Sequence, residues 1–343
     1  MKTVMMASAA LLFAGVSGAG LAHADDKTLT ISTYSISQDD FKTIVYEPFE
    51  KICGCKIVVE TGNSVQRLAK MEENKDHPVV DMAVVSMADA LNASRKGLLD
   101  KIDTSKLSNF NKLYDIAKDP NHDGMSVGYT FYSTSIVYRS DKMKIDSWAD
   151  LLKPEYASHI AWPNVSTTGG PPSLYMLGLA LGKDAPDLAA PIAAIGEKKD
   201  DIVTFYETSS QLVQLMKQEE IWAAPTGRFA WAPFTKLGMP IAWATPKEGQ
   251  TGGMNVMILT KGSKNQALAM QFMDFWLSTE VQTKLAEKMV DSPANKEVKV
   301  SDAVAANITY GEDTAKSLKL IPSAVALDNR AGWIKSWNEK VGQ

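Results

Sequence analysis

Apolar and polar residues alternate from Thr28 to Thr33, the two-residue period of a strand. Downstream the apolar positions open to the three-and-four spacing that predicts a helix over 41–52. A second strand is predicted over 56–60 and a helix over 65–74. The nearly continuous apolar run 79–85 then suits a strand covered on both faces. Strand, helix, strand, helix, strand is the order of a doubly wound α/β unit, whose ligand edge lies beyond the carboxyl ends of its strands. Just past those ends stand Tyr34-Ser35, Gly62-Asn63-Ser64 and Ser86-Met87-Ala88, loops of small and polar residues.

The pattern restarts after an aromatic and β-branched stretch, 128–139, that reads as an extended crossing segment. Strands are predicted over 160–162, 202–206 and 221–224, with helices over 173–182, 210–219 and 228–237. A further extended segment, 255–260, precedes an amphipathic helix over 266–277, whose apolar face makes Trp276 a core residue, and another helix running to Met289. The expected fold class is therefore α/β: two doubly wound lobes joined by crossing strands, the first comprising 25–131 plus 255–300 and the second 132–254 plus 301–343. No repeat or flexible linker separates the lobes, which favours a shared cleft over independent modules.

The first 24 residues decide where the rest must work. Lys2 precedes an apolar run from Val4 to Val16, and the segment closes on Ala22-His23-Ala24 before Asp25-Asp26. This is the pattern of a secretory signal peptide, 1–24, and the run falls short of the roughly 18 apolar residues of a membrane helix. A soluble, exported periplasmic protein is expected. Basic residues number 36 against 40 acidic in the full chain, and removing Lys2 leaves 35 against 40, about minus five. That balance offers no positive field for nucleic acid or anionic lipid. Cys53 and Cys55 are the only cysteines. Export permits a disulfide, but the one-residue spacing argues for strain in any bridge and hence for two thiols at a helix end. The histidines show no metal-ligand spacing, so neither metal nor cofactor is expected.

Several motifs resemble the periplasmic substrate-binding proteins of ABC importers, in the branch that serves polyamines, iron(III), thiamine, phosphonates and aminobutyrate. They are Glu60-Thr61-Gly62-Asn63-Ser64 with the Arg67-Leu68-Ala69-Lys70 helix, and Asp81-Met82-Ala83-Val84-Val85-Ser86 with Gly97-Leu98-Leu99. Thr134-Ser135-Ile136-Val137-Tyr138, Ser147-Trp148-Ala149-Asp150-Leu151-Leu152, Gly227-Arg228 and Asp328-Asn329-Arg330 with Trp333 follow in order. The resemblance spans essentially the whole mature chain. It implies a type II periplasmic binding protein: two lobes that close like a hinge over a small ligand and deliver it to an inner-membrane ABC permease, as a monomer and without catalysis.

The resemblance also implies acids in a polyamine receptor, just after the strand at 160–162 and on the second crossing strand, because a buried ammonium needs a carboxylate. Those places read Pro163-Asn164-Val165-Ser166-Thr167-Thr168-Gly169-Gly170 and Met254-Asn255-Val256. A hydroxyl- and glycine-rich loop opening a helix, with Arg228 where the family's pocket is lined, suits a negative group. The expected ligand therefore carries a carboxylate or phosphonate, as in an aminobutyrate-like or aminophosphonate zwitterion, with a polyamine as the alternative. The candidate binding residues are Tyr34, Asn63, Ser86, Tyr132, Trp162, Ser166, Thr167, Thr168, Gly169, Ser210, Arg228 and Asn255. Several have a plainer role. Ser166, Thr167 and Thr168 suit helix capping, Arg228 a surface position or a lobe-bridging ion pair, and the tryptophans core packing.

Iron(III) is disfavoured by the lack of a Tyr-Tyr pair. A periplasmic hydrolase is the competing class, but the chain has no Gly-x-Ser-x-Gly elbow, no Gly-x-x-x-x-Gly-Lys loop and no His-Glu-x-x-His helix. A structural exported protein would show repeats or long surface loops.

Overall fold

A computed structural model of the chain describes residues 27–183 and 187–342, so the signal segment 1–24 lies outside the described residues. The strands are β1 (Thr28–Thr33), β2 (Lys56–Thr61), β3 (Met82–Ser86), β4 (Leu99–Asp100), β5 (Ser126–Arg139) and β6 (Ile160–Pro163). They continue as β7 (Ile202–Tyr206), β8 (Ala223–Gly227), β9 (Ile241–Trp243), β10 (Thr251–Thr260) and β11 (Ser292–Pro293). They form one mixed sheet along the path β2-β1-β3-β10-β5-β8-β6-β7, with β4 on β10 and both β9 and β11 on β5.

The α/β architecture is as the alternating elements predict, and its two halves meet in two long strands. Parallel β1, β2 and β3 make one half; parallel β6, β7 and β8 make the other. β10 runs antiparallel to β3 over residues 255–259 and to β5 over most of its length. β5 then turns its far end to β8 and β9. Both crossing strands are almost wholly buried, which accounts for their continuous apolar and small-residue character.

Buried side chains separate in the same way. One cluster draws on residues between Leu29 and Phe131 and between Met254 and Ala294, and it also takes in Ala315. Two more draw on residues between Ile136 and Ala244, one of them including Trp333 and Trp337 of the helix Ser323–Lys340. Trp276 is fully buried, as its helical spacing predicts, with the rings of Tyr129 at 5.1 Å, Phe41 at 5.3 Å and Phe272 at 5.5 Å.

Local departures have local causes. The helix expected over 41–52 is Gln38–Phe41, a wide π turn Lys42–Tyr46, and Glu47–Cys53. Pro48 has no N–H to continue the ladder, and the wide turn directly precedes it. Cys53 and Cys55 form a disulfide, correcting the expectation of two thiols. Gly54 takes a left-handed φ of 58°, which only glycine adopts freely, and this brings the two Cα atoms to 5.2 Å, within the ordinary range for a bridge.

Candidate functional site

The largest cavity that bears on the site, about 320 Å³, opens between the carboxyl ends of the two sets of parallel strands. Its position follows from topology, since parallel strands leave their loops on a common edge. One wall carries Tyr34 after β1 and Asn63 after β2; the opposite wall carries Thr168 after β6, with Glu207 and Ser210 after β7. The floor is the crossing pair, with Tyr129 and Tyr132 from β5 and Asn255 from β10. Asp291 enters from the turn before β11.

Seven of the twelve sequence candidates meet here or share its wall directly. Tyr34 donates its hydroxyl to Asn255 Oδ1 at 3.1 Å and lies 3.1 Å from Ser64 Oγ, so both strand-end polar groups are held in place. Asn63 caps the helix Ser64–Glu73, accepting from the Gln66 N–H at 2.9 Å. Tyr132, Thr168, Ser210 and Asn255 line the cavity, and Thr167 lines two smaller cavities that share Thr168 and Tyr132 with it. Gly169 borders one of these and Ser86 the other. The plain capping role is also visible, since Thr167 Oγ1 accepts from the Gly170 N–H at 3.1 Å where the helix Gly170–Ala180 begins.

Three candidates stand elsewhere. Trp162 is fully buried in the second half's core, because the side chain of a central strand residue faces the covering helices rather than the strand end. Ser166 is exposed and turns its hydroxyl to Asn164 Oδ1 at 2.8 Å. Arg228, the expected anion anchor, lines none of these cavities. Its Nε donates to the Asn307 carbonyl at 3.0 Å and its Nη2 to the Ala306 carbonyl at 2.6 Å, at the end of the short helix Asp302–Ala305. Trp231 and Trp243 lie 4.7 and 4.6 Å from its guanidinium carbon. Burial lowers its pKa to about 10. Arg228 therefore pins residues 306–307 against the two indoles, a structural task.

The residues that sequence reasoning missed are the acids. Asp291 is half-buried, and its Oδ2 is sealed from solvent without a hydrogen-bond partner in the protein. Burial pushes the Asp291 carboxyl up to about 7, with the Thr130 hydroxyl opposing the shift. Glu207 is exposed at the rim, directly after the strand predicted at 202–206. Strand-end logic would have found Glu207. Asp291 had a weaker signal, an acid set among Val290, Ser292 and Pro293 beyond a helix.

The aromatic wall is also larger than expected. Phe229 meets Tyr132 edge-on at 5.3 Å, and burial raises the pKa of Tyr132 and Tyr129, keeping both phenols neutral. Behind Tyr34, and outside the cavity lining, lies the buried Arg67. Its guanidinium carbon is 4.6 Å from the Tyr34 ring, and its Nε donates to the Gly62 carbonyl at 2.9 Å. Burial lowers the Arg67 pKa, with the nearby Tyr34, Tyr129 and Asp89 opposing. Among the described residues, no Lys, Arg or His lines the main cavity, while two carboxylates do.

Comparison with known proteins agrees with this geometry. Residues 45–311 match the family model described as a bacterial extracellular solute-binding protein, and the chain belongs to that family. It is a solute-binding protein rather than an enzyme. The spermidine/putrescine-binding periplasmic protein of Escherichia coli (strain K12) is 26% identical over 97% of this chain and 93% of its own length. The crystal structure of an ABC transporter protein from Clostridium perfringens ATCC 13124 is 32% identical, with a TM-score of 0.75 over 91% of this chain and 99% of that one. The periplasmic binding protein AfuA from Actinobacillus pleuropneumoniae superposes with a TM-score of 0.77 at 18% identity, covering 92% of this chain and 98% of that one. The fold is that of the type II periplasmic binding proteins. No described helix is long and apolar enough to cross a membrane.

Proposed function

We propose that this protein is the receptor of an ABC importer for a small organic cation bearing amine groups, a polyamine-like solute. It is exported by its N-terminal signal, works as a monomer in the periplasm, and hands its ligand to an inner-membrane permease. The observation that carries the cationic reading is the cavity's charge: Asp291 and Glu207 line it, and no basic side chain does among the described residues. An ammonium group supplies the partner that a half-sealed carboxylate lacks, and the faces of Tyr34, Tyr132 and Phe229 suit both its charge and its alkyl chain. The relative from Escherichia coli is named for spermidine and putrescine, which supports the same ligand class. The expected carboxylate or phosphonate ligand rested on Arg228 together with the loop of residues 166–170; Arg228 lines none of these cavities, and its Nε and Nη2 are held by the carbonyls of residues 307 and 306.

The lobes are taken as residues 25–131 plus 255–300 and residues 132–254 plus 301–343, hinged at β5 and β10. The separate hydrophobic clusters support this division, with Met254 and Ala315 packing across it. Closure would then bring Glu207 on one lobe toward Asp291 on the other.

One observation favours a second reading, an ω-amino acid. The terminal nitrogens of Arg67 have no hydrogen-bond partners in the protein, and a carboxylate reaching past Tyr34 would satisfy them. A thermal-shift panel of putrescine, cadaverine, spermidine, γ-aminobutyrate, aminoethylphosphonate, thiamine and sugars separates the readings. A ligand at a hundredfold its Kd stabilises by about 2.7 kcal/mol, a readily measured shift. The cationic reading expects stabilisation by the di- and triamines. Stabilisation by γ-aminobutyrate or the phosphonate alone would overturn it.

A further inference from the structure

The loop that brings Thr167 and Thr168 to the cleft is tied to the opposite wall through one side chain. Arg330, on the helix Ser323–Lys340, donates Nη2 to the Ser166 carbonyl at 2.8 Å and sets Nη1 3.3 Å from Asp89 Oδ1. Asp89 lies in the first turn of the helix Met87–Arg95, and its side chain is only 4% exposed. Its other oxygen accepts from Ser86 Oγ at 2.8 Å, and Ser86 Oγ in turn accepts the Asp89 N–H at 3.1 Å. The carboxylate is therefore fixed at the carboxyl end of β3, on the ligand edge of the sheet.

The two helices belong to different cores. Met87–Arg95 packs through Ala90 and Ala93 into the first cluster, and Ser323–Lys340 through Trp333 and Trp337 into the second. They touch directly, and Arg95 and Asp328 make a more exposed ion pair along the same contact. Beneath it lies a chamber of about 100 Å³, bordered by Arg330 and Asp89 and sharing Tyr132 and Thr168 with the main cavity. A surface ion pair alone would carry little weight. Here the carboxylate is buried and needs its cation, Arg67 being near enough to add to the field but not in ion-pair contact. The same guanidinium holds a backbone carbonyl of the ligand loop, so loss of the ion pair also frees the loop.

We propose that Arg330 is a positioning residue for ligand capture, latching the loop of residues 164–169 to the Ser86–Asp89 corner so that the two walls of the cleft are held together in the closed form. This rests on the reading of the cleft as a solute site. Its geometry is nevertheless testable without any solute.

In the full mature protein, spin labels at Val58→Cys and Val203→Cys, both exposed and on opposite ends of the sheet, report the separation of the two halves; Cys53 and Cys55 are bonded to each other and do not compete for label. In Arg330→Ala the unliganded distance distribution should widen and shift outward. Stopped-flow dissociation of the best amine from the thermal-shift panel should quicken about tenfold, the scale of losing hydrogen bonds from one charged group. Arg330→Lys, which restores the charge but not the two-pronged hold, should fall between Ala and the parent. If Arg330→Ala does not fold, the Lys variant and Asp89→Asn carry the test. An unchanged distance distribution in the folded variants overturns the clamp whichever solute binds. A dissociation rate within twofold of the parent, with the distances altered, overturns its role in capture. Failure of every amine in the panel overturns the ligand reading and leaves the distance result standing.

Discussion

Asp291 gives the cationic reading its sharpest consequence. Its carboxyl, raised to about 7 by burial, is half protonated near neutrality in the unliganded protein. A primary ammonium keeps its own proton there, so binding must drive the proton off Asp291. For a group of pKa near 7, the fraction to be expelled is about nine-tenths at pH 6 and about one-tenth at pH 8. Apparent affinity should therefore rise about tenfold across that interval, worth about 1.4 kcal/mol. An anionic ligand would show the opposite slope.

Calorimetric titration at pH 6 in two buffers of different ionisation enthalpy counts the released protons directly. Asp291→Asn should abolish the release and flatten the pH profile. It should weaken amine binding by roughly 2 kcal/mol or more, about thirtyfold, since the ammonium loses a half-sealed partner.

Stability moves the other way, and the sign follows from the raised folded-state pKa. Between about pH 4 and pH 7 the native chain holds a proton that the unfolded chain has released. The stabilisation from Asp291 is therefore present below about pH 4 and lost as the pH rises through 7. Three units correspond to about 4 kcal/mol at most, and the residue's partial exposure brings the expected loss to roughly 2 kcal/mol. Unliganded Asp291→Asn should consequently melt higher than the parent at pH 7.5 while binding amine more weakly. No proton release at pH 6, or an Asn variant that binds like the parent, would refute the reasoning.

Other substitutions separate structure from site. Gly253→Ala aims its new methyl at the Tyr132 hydroxyl, 2.5 Å away at the end of a movable side chain, so calorimetry should show weakened binding with little change in Tm. Gly252→Ala meets the Tyr132 carbonyl at 2.1 Å, which is fixed backbone, so thermal melting should show a loss of about 1–3 kcal/mol from overpacking. Arg228→Ala should lower stability by roughly 1.5–3 kcal/mol, through loss of its charged hydrogen bonds to residues 306 and 307, while amine affinity stays within about threefold. Trp276→Ala should cost roughly 3–5 kcal/mol in denaturant unfolding.

Much of the fold was legible because it is written in local periodicity. The run at 79–85 announced the buried strand β3, although that strand begins at Met82 and Val79 is exposed, and the 266–277 helix showed its core face, since each pattern reports the surroundings of its own residues. The pairing of β10 between β3 and β5 was not legible in detail, because register over more than a hundred residues is a tertiary choice. The disulfide was missed for a conformational reason: cysteine spacing says nothing about the backbone angle of Gly54, and that angle decides whether the sulfurs meet.

The site divides along the same line. Tyr34, Asn63, Thr168 and Asn255 come together at the cavity because strand ends converge by topology alone. Arg228 misled because an arginine's role is set by whatever carbonyl or carboxylate the fold brings to it. Residues 306 and 307 arrive from nearly eighty positions away. Asp291 is the converse case, an acid unremarkable in sequence whose chemistry is created by its enclosure. The ligand's sign of charge thus hung on two residues whose partners are nonlocal. One is a cation whose Nε and Nη2 the fold holds on backbone carbonyls, the other a carboxyl with one oxygen left unpartnered at the cavity, and on the cationic reading the solute that completes it is positive where it meets Asp291.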